Sequence, residues 1–383
     1  MPLQLSPLQL PPLPHPFLPA IHPSFFPENP TPYIQLDEYD HHPFEKVTRD
    51  YADHFELYAD ETQRQRLANC HCAWFGALMF PVGSDELLQI GIDFCMWSIA
   101  YDDEYCDEGE VAHQPEKLIQ YSAEIWRQFE VPEYKLSNDR YALAARDLRI
   151  RLDKYAKPEQ TARFVDYMRV YMMVEMWKAV NPAPSLNDYM TIRLTGGGAL
   201  AFPTLGHIIA NVDIAQRDYE NRKVRVLFEA LSNLMVWEAE PHAYVKESIR
   251  GDTDKEHNLI RVLMRERQYT FDEAIQEYLE MRRRLLGLIV RLKNDIEKDA
   301  PAGVCDYIET LIRYYMGATV WSQNTRRYKS ISGQGGESVF EGGCLTESRP
   351  ESQFDATQPI DFDAIRWWWH YDPLKASEIP SRD

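Results

Sequence analysis

From about residue 60 to residue 328 the apolar positions recur with the 3.6-residue period of helices that bury one face, and strand-type alternation is almost absent. Roughly ten segments follow this pattern, so an all-α fold is predicted. SNDRYALAARDLRIRLDKYA (137–156) opens on a Ser-Asn-Asp start signal, and EQTARFVDYMRVYMMVEMWKAV (159–180) is bounded by Pro158 and Pro182. No period of 20 to 50 residues repeats, which argues against a solenoid. One stretch breaks the pattern. SIAYDDEYCDEGE (98–110) is an apolar run that reads as buried, yet it ends in six acids within nine residues.

Pattern and composition divide the chain into three parts. Residues 1–40 are proline-rich and read as an extended arm, residues 41–328 as the helical domain, and residues 329–383 as a Gly/Ser-rich linker followed by an acidic, aromatic tail with Trp367, Trp368 and Trp369. The tail reads as either a lid or a docking segment. The first 27 residues lack the basic start of a signal peptide. The least polar internal stretch, LTGGGALAFPTLGHIIANV (194–212), is interrupted by three adjacent glycines and Pro203. A cytoplasmic protein without a membrane span is expected.

Charge narrows the chemistry. Sixty acidic against 41 basic side chains leave a formal charge of −19, which argues against a nucleic-acid partner or an anionic lipid surface. An anionic ligand would need local basic groups or a metal. The six cysteines show no disulfide framework, and Cys70 and Cys72 lack a second pair for zinc. They are expected to be reduced thiols.

The acids at 102–110 need compensation, since two carboxylates about 5 Å apart repel by roughly 3 kcal/mol at an effective dielectric of about 20. On a helix Asp103 and Asp107 share a face with Asp102 beside them, a spacing that suits a hard, oxygen-loving cation such as Mg²⁺. A solvated helix C-terminus is the plain alternative, although the macrodipole disfavours acids there. A di-iron bundle is a third reading, because Glu38-xx-His41 and Glu110-xx-His113 both match Glu-x-x-His, each next to a helix breaker.

FPVGSDELLQIGIDFCMWSIAYDDEYCDEGE resembles the segment of microbial class I terpene synthases that carries their first metal motif, Asp-Asp with a further acid four residues after the second Asp. Three more elements follow in order. YMTIRLTGGG (189–198) is similar to the family's diphosphate-sensing arginine and glycine turn, VKESIRGDTDKEHNLIRVLM (245–264) to the end of its second metal motif, and WSQNTRRY (321–328) to its terminal Arg-Tyr pair. The resemblance covers roughly residues 55–328. It implies a class I terpene synthase-like helical bundle around a central apolar cavity, whose mouth holds Mg²⁺ and the diphosphate of an isoprenoid.

Heterolysis of an allylic carbon–oxygen bond leaves charge on diphosphate, so cationic donors must stand where that charge develops. Under this resemblance Arg193, Lys246, Arg327 and Tyr328 are the expected donors, with Asp102, Asp103, Arg193, Arg327 and Tyr328 as the catalytic set. The carbocation left behind needs water excluded and aromatic faces nearby. Trp321 matches the terminal motif, and Phe94, Trp97, Phe202 and Trp237 are candidates by position, for which ordinary core packing is the competing reading. Where the family often has aromatic residues before its first Asp, this chain has Ser98 and Ile99.

The second metal motif departs from the pattern. The family places Asn, Ser or Thr, and Glu at successive fourth positions; here AEPHAYVKE (239–247) supplies Ala239, Ala243 and Glu247. The register is supported by Ala239 lying 46 residues after Arg193, about the family's interval. Asp102, Asp103, Asp107, Glu247 and Glu240 are therefore the expected metal ligands, with the number of ions open. Pro241 could kink the helix and turn Glu240 or Glu238 to the mouth. Three functions remain: cyclisation of a prenyl diphosphate, with farnesyl diphosphate expected; transfer of the cation to an external amine or hydroxyl; and a non-catalytic relative. A homodimer is left open.

Overall fold

The computed structural model describes residues 41–250, 257–329 and 358–376, and every regular element among them is helical. Fifteen α-helices lie between residues 43 and 329: α1 Pro43–Phe55, α2 Glu61–Ala68, α3 Cys72–Met79, α4 Asp85–Tyr101, α5 Pro115–Glu130, α6 Arg140–Leu152, α7 Pro158–Val180, α8 Leu186–Arg193, α9 Ala201–Ile209, α10 Gln216–Tyr219, α11 Arg222–Arg250, α12 Leu259–Arg267, α13 Phe271–Ile296, α14 Ala302–Asn324 and α15 Arg326–Lys329. A sixteenth, α16, covers Pro373–Ala376. The excess over the roughly ten periodic segments expected consists of pieces one or two turns long, such as α10 and α15, too short to show a period.

Local chemistry sets the ends. Asp139 accepts a hydrogen bond from the Ala142 N–H and starts α6, as its start signal predicts, while Thr270 and Glu273 form a reciprocal capping box on α13. Pro158 opens α7, where its missing N–H costs nothing.

The sites of burial follow from composition. In α3 (CAWFGALM) every residue is buried, and α4 is buried from Ile90 to Tyr101, so both run through the interior. Helix α14 packs on α3, α9 and α11; α11 packs also on α13; α3 lies against α4; and α5 and α6 cover α4 and α7. The core is a ring of helices around a cavity lined from α3, α4, α7, α9, α11 and α14.

The described part of the tail docks on the outside of this ring. Trp368 and Trp369 are fully buried, with Trp368 Nε1 donating to Glu229 at 3.1 Å. Arg291 donates to both carboxylate oxygens of Asp372, at 2.9 and 2.6 Å. None of residues 358–376 lines the cavity. The expected arm (1–40) and most of the linker (330–357) lie outside the described residues. No described helix is long and apolar enough to cross a membrane.

Candidate active site

The cavity holds about 1520 Å³ between its walls, counting open solvent at the mouth. Phe75, Phe94, Ile99, Phe202, Met235 and Trp321 supply apolar lining. Its polar lining comes from Asp102, Asp107, Lys178, Arg193, Lys246, Glu247, Arg327 and Tyr328.

The acids owe their positions to a local change of helix. Helix α4 does not continue past Tyr101 as an α-helix, as the i, i+4 argument assumed; residues Asp102–Asp107 form a π-helical turn, closed by the Glu108 N–H donating to the Asp103 carbonyl at 2.8 Å. The extra residue in that turn brings ligand oxygens of Asp102, Asp103 and Asp107 within 4.8 Å of one another. Gly109 permits the exit, since a Cβ there would lie 2.0 Å from the Glu104 carbonyl oxygen. Glu104 points elsewhere and binds Arg140 and the Tyr141 hydroxyl, the latter at 2.7 Å.

Asp103 is buried and does not line the cavity. Arg327 grips both of its oxygens, at 2.6 and 2.7 Å, and the Lys246 ammonium lies at 2.8 Å. Burial pushes the Asp102 carboxyl up to about 8, reinforced by Asp107 and opposed by Lys178. Burial also acts to raise Asp107, but Lys178 and Lys246 outweigh it and hold that carboxyl below its usual range. Lys246 keeps its proton despite burial and the neighbouring Arg327, because Asp103, Glu108 and Asp107 surround it.

The residues present fit a hard cation at the first motif: three carboxylates with convergent oxygens, one of them pushed toward protonation by burial and then by Asp107. They do not fit one at the second. Ala239, Ala243, Lys246 and Glu247 all line the cavity, so the register read from sequence is the one that faces it, but two of the three positions are methyl groups. Glu247 accepts from Asn258 Nδ2 at 2.9 Å, and burial raises its carboxyl, followed by the effect of Glu240.

Glu240, expected as a replacement ligand, does not line the cavity. Helix α11 carries Pro241 in its interior and runs on to Arg250. Its side chain is 1% exposed and pairs with Arg193 at 2.5 Å, while its other oxygen accepts the Leu259 N–H at 2.9 Å at the start of α12. Glu238 is committed still deeper, to Arg282 at 2.6 Å and the Tyr315 hydroxyl at 2.8 Å. Of the two Glu-x-x-His matches behind the di-iron reading, Glu110 is exposed on the surface with Lys117 at 3.6 Å, and Glu38 falls outside the described residues.

The glycine turn holds Arg193 in place. Gly197 and Gly198 have φ of 60° and 68°, and a Cβ on Gly197 would stand 3.3 Å from Arg193 Nη1. Among the aromatic candidates, Phe94, Phe202 and Trp321 line the cavity, whereas Trp97 and Trp237 do not. Trp97 is fully buried behind it, donating to the Tyr141 carbonyl at 3.0 Å, and Trp237 is likewise core. Phe75 was not foreseen: it stacks on Trp321 at 3.9 Å and 17°, but in the uniformly apolar CAWFGALM nothing marks it out. Lys178 and His257 also line the cavity without a motif to announce them. Burial, then Lys178, pushes His257 down to about 3, so it is neutral.

A family model described as "Terpene synthase family 2, C-terminal metal binding" matches residues 93–287. The chain is 32% identical over 323 residues to (+)-(1(10)E,4E,6S,7R)-germacradien-6-ol synthase of Streptomyces pratensis, covering 83% of this chain and 89% of the relative. It is 24% identical over 310 residues to 4-epi-cubebol synthase ((2E,6E)-farnesyl diphosphate cyclizing) of Streptosporangium roseum, covering 80% and 91%. In fold it is similar to 2-methylisoborneol synthase of Streptomyces coelicolor A3(2), solved in complex with Mg²⁺ and 2-fluoroneryl diphosphate. That likeness has a TM-score of 0.67 at 16% identity, over 81% of this chain and 98% of the other.

Proposed function

Because the chain belongs to the microbial class I terpene synthases, we propose that it ionises farnesyl diphosphate and cyclises the resulting cation to a sesquiterpene, releasing diphosphate. The observation that carries this reading is a cavity whose lining combines two chemistries: acids with four cationic side chains among the described residues, and aromatic and aliphatic side chains. The relative from Streptosporangium roseum is named for cyclising farnesyl diphosphate, and the length of its match supports that substrate.

Asp102, Asp103 and Asp107 would hold divalent metal, with Mg²⁺ as the proposed ion. When bound, such an ion offsets charge on the leaving diphosphate. Arg193, Lys246, Arg327 and the Tyr328 hydroxyl supply fixed donors for the same oxygens, so charge develops where it is already compensated. The stacked Phe75–Trp321 pair, with Phe94 and Phe202, excludes water and offers π faces to the cation. The relatives' names describe synthases of single terpenols, so transfer to an external amine is not taken further. The five described cysteines are free thiols, in keeping with a cytoplasmic enzyme.

The test is incubation with geranyl, farnesyl and geranylgeranyl diphosphates plus Mg²⁺, reading released diphosphate and the mass spectra of extracts. A fifteen-carbon cyclic product from farnesyl diphosphate is expected. No diphosphate release from any of the three would overturn the reading.

A further inference from the structure

Among the described residues four cationic side chains line the cavity, and three of them belong to recognisable motifs: Arg193, Lys246 and Arg327. Each of those three is backed by a carboxylate that is almost wholly buried and does not itself line the cavity. Arg193 has Glu240, 1% exposed, and Lys246 and Arg327 share Asp103, 2% exposed. Lys178, near the end of α7, is built the same way. Its ammonium lies 2.6 Å from Glu175, which is 1% exposed and absent from the cavity wall. Lys178 also stands 3.9 Å from one oxygen of Asp107, while Lys246 stands 3.7 Å from the other, so the third acid of the first motif sits between two ammonium groups. A lysine whose purpose was surface solubility would not be held at 15% side-chain exposure against a buried acid.

Opposite this arrangement the α11 face presents Ala239 and Ala243, which offer no oxygen to an ion, and Glu247, which already accepts from Asn258. Among the described residues Glu247 belongs to no group of three ligand atoms that converge. Charge that a divalent ion would bring at that motif has to come from elsewhere if diphosphate is to leave.

We infer that Lys178 is a diphosphate-binding residue, a fixed ammonium on α7 that takes over part of the charge compensation for which Ala239 and Ala243 can hold no metal. This rests on the reading that the cavity binds diphosphate. An ammonium is a compact point charge with three donors, suited to phosphate oxygens. Glu175 is the positioning residue that keeps it aimed, and the Lys178 carbonyl, bonded to His257 Nε2 at 3.2 Å, ties the end of α7 to the start of α12.

The test uses the full chain and inorganic diphosphate, titrated calorimetrically at saturating Mg²⁺. Lys178→Gln should bind about tenfold more weakly or worse, the loss of one charge-assisted contact, and Lys178→Arg should retain most of the affinity. Since Lys178→Gln leaves Glu175 buried without its partner, the pair Lys178→Met with Glu175→Gln removes both charges, and it should bind as weakly as the single variant while melting cooperatively. Parent-like affinity in the single or the double variant overturns the inference. So does the loss of a bound Mn²⁺ on Glu247→Gln, counted by electron paramagnetic resonance with diphosphate present, because an ion would then sit at the second motif after all. Turnover of farnesyl diphosphate by the parent is read separately. Tight, Lys178-dependent binding without turnover would sink the proposed function and leave this inference standing, whereas turnover with Lys178-independent binding would do the reverse.

Discussion

Arg327 and Asp103, 224 residues apart in sequence, form a two-pronged ion pair in which Nη1 meets Oδ2 at 2.6 Å and Nη2 meets Oδ1 at 2.7 Å. The proposed diphosphate donor and one of the proposed metal ligands thus neutralise each other. If the two hold those roles, binding of metal and diphosphate exchanges this pair for two others.

That exchange gives the first prediction a sign. Arg327→Gln frees Asp103 from its strongest partner, so the substrate-free variant should bind Mg²⁺ more tightly than the parent while binding inorganic diphosphate more weakly. Asp102→Asn and Asp103→Asn should each slow diphosphate release by about 100-fold or more. Calorimetry and a diphosphate-release assay read both effects, and near-normal turnover in both Asn variants would reject the metal reading of the acids.

Ala239 and Ala243 line the cavity in register with Glu247, so Ala239→Asn combined with Ala243→Ser should rebuild three oxygen ligands on one helical face. The double variant is expected to hold one more Mn²⁺ per chain than the parent when diphosphate is present. An unchanged count would show that this face does not reach the ion.

Glu240→Gln leaves Arg193 without its buried counter-charge. Loss of one partner of such a pair costs about 3 kcal/mol or more, so urea unfolding should shift to lower denaturant and the affinity for diphosphate should change. The Mn²⁺ count should not, because both Glu240 oxygens are engaged, by Arg193 and by the Leu259 N–H; a lost ion in this variant would contradict that reading.

His207 is buried, stacked on Tyr307 at 3.9 Å with Nε2 3.2 Å from that residue's carbonyl oxygen. Burial pushes its pKa down to about 3, against that hydrogen bond and with help from Arg163. The unfolded chain takes up the proton near pH 6.5, so stability from this group is complete above about 6.5 and drains away as pH falls toward 3, at up to about 1.4 kcal/mol per pH unit. His257, also near 3, acts in the same direction. His207→Gln should therefore flatten, though not abolish, the fall in stability between pH 7 and 5, as measured by urea unfolding at both.

Trp368 is fully buried against the outside of the bundle and bonded to Glu229 on α11. Trp368→Ala should lower stability by about 3 to 5 kcal/mol if the docked tail unfolds with the domain. The midpoint of thermal unfolding should fall while the affinity for inorganic diphosphate stays at the parent value, because no described tail residue reaches the cavity. A tail acting as a lid would lose affinity instead.

The sequence by itself determined what depends on neighbours along the chain. Period and capping residues specify α6 and α7. The order of the Asp-rich stretch, Arg193 with its glycines, Lys246–Glu247 and Arg327–Tyr328 names the site, and the count of fours from Glu247 puts Ala239 and Ala243 on its face, because a helix repeats in angle and a straight one preserves register. What a side chain does with that position depends on partners far away in sequence, and only the tertiary structure decided it. The π turn, closed by the Glu108 N–H and left through Gly109, converges Asp102, Asp103 and Asp107 beyond what α-helical spacing provides. Arg327 and Lys246 draw Asp103 out of the wall, and Leu259 and Arg193 claim Glu240 from the other side of the helix. Phe75 rather than Trp97 or Trp237 meets the cavity, since all three sit in apolar runs where burial is certain but direction is not. Lys178 has no recognised motif; Glu175 and Asp107 give it a place, by charge at short range.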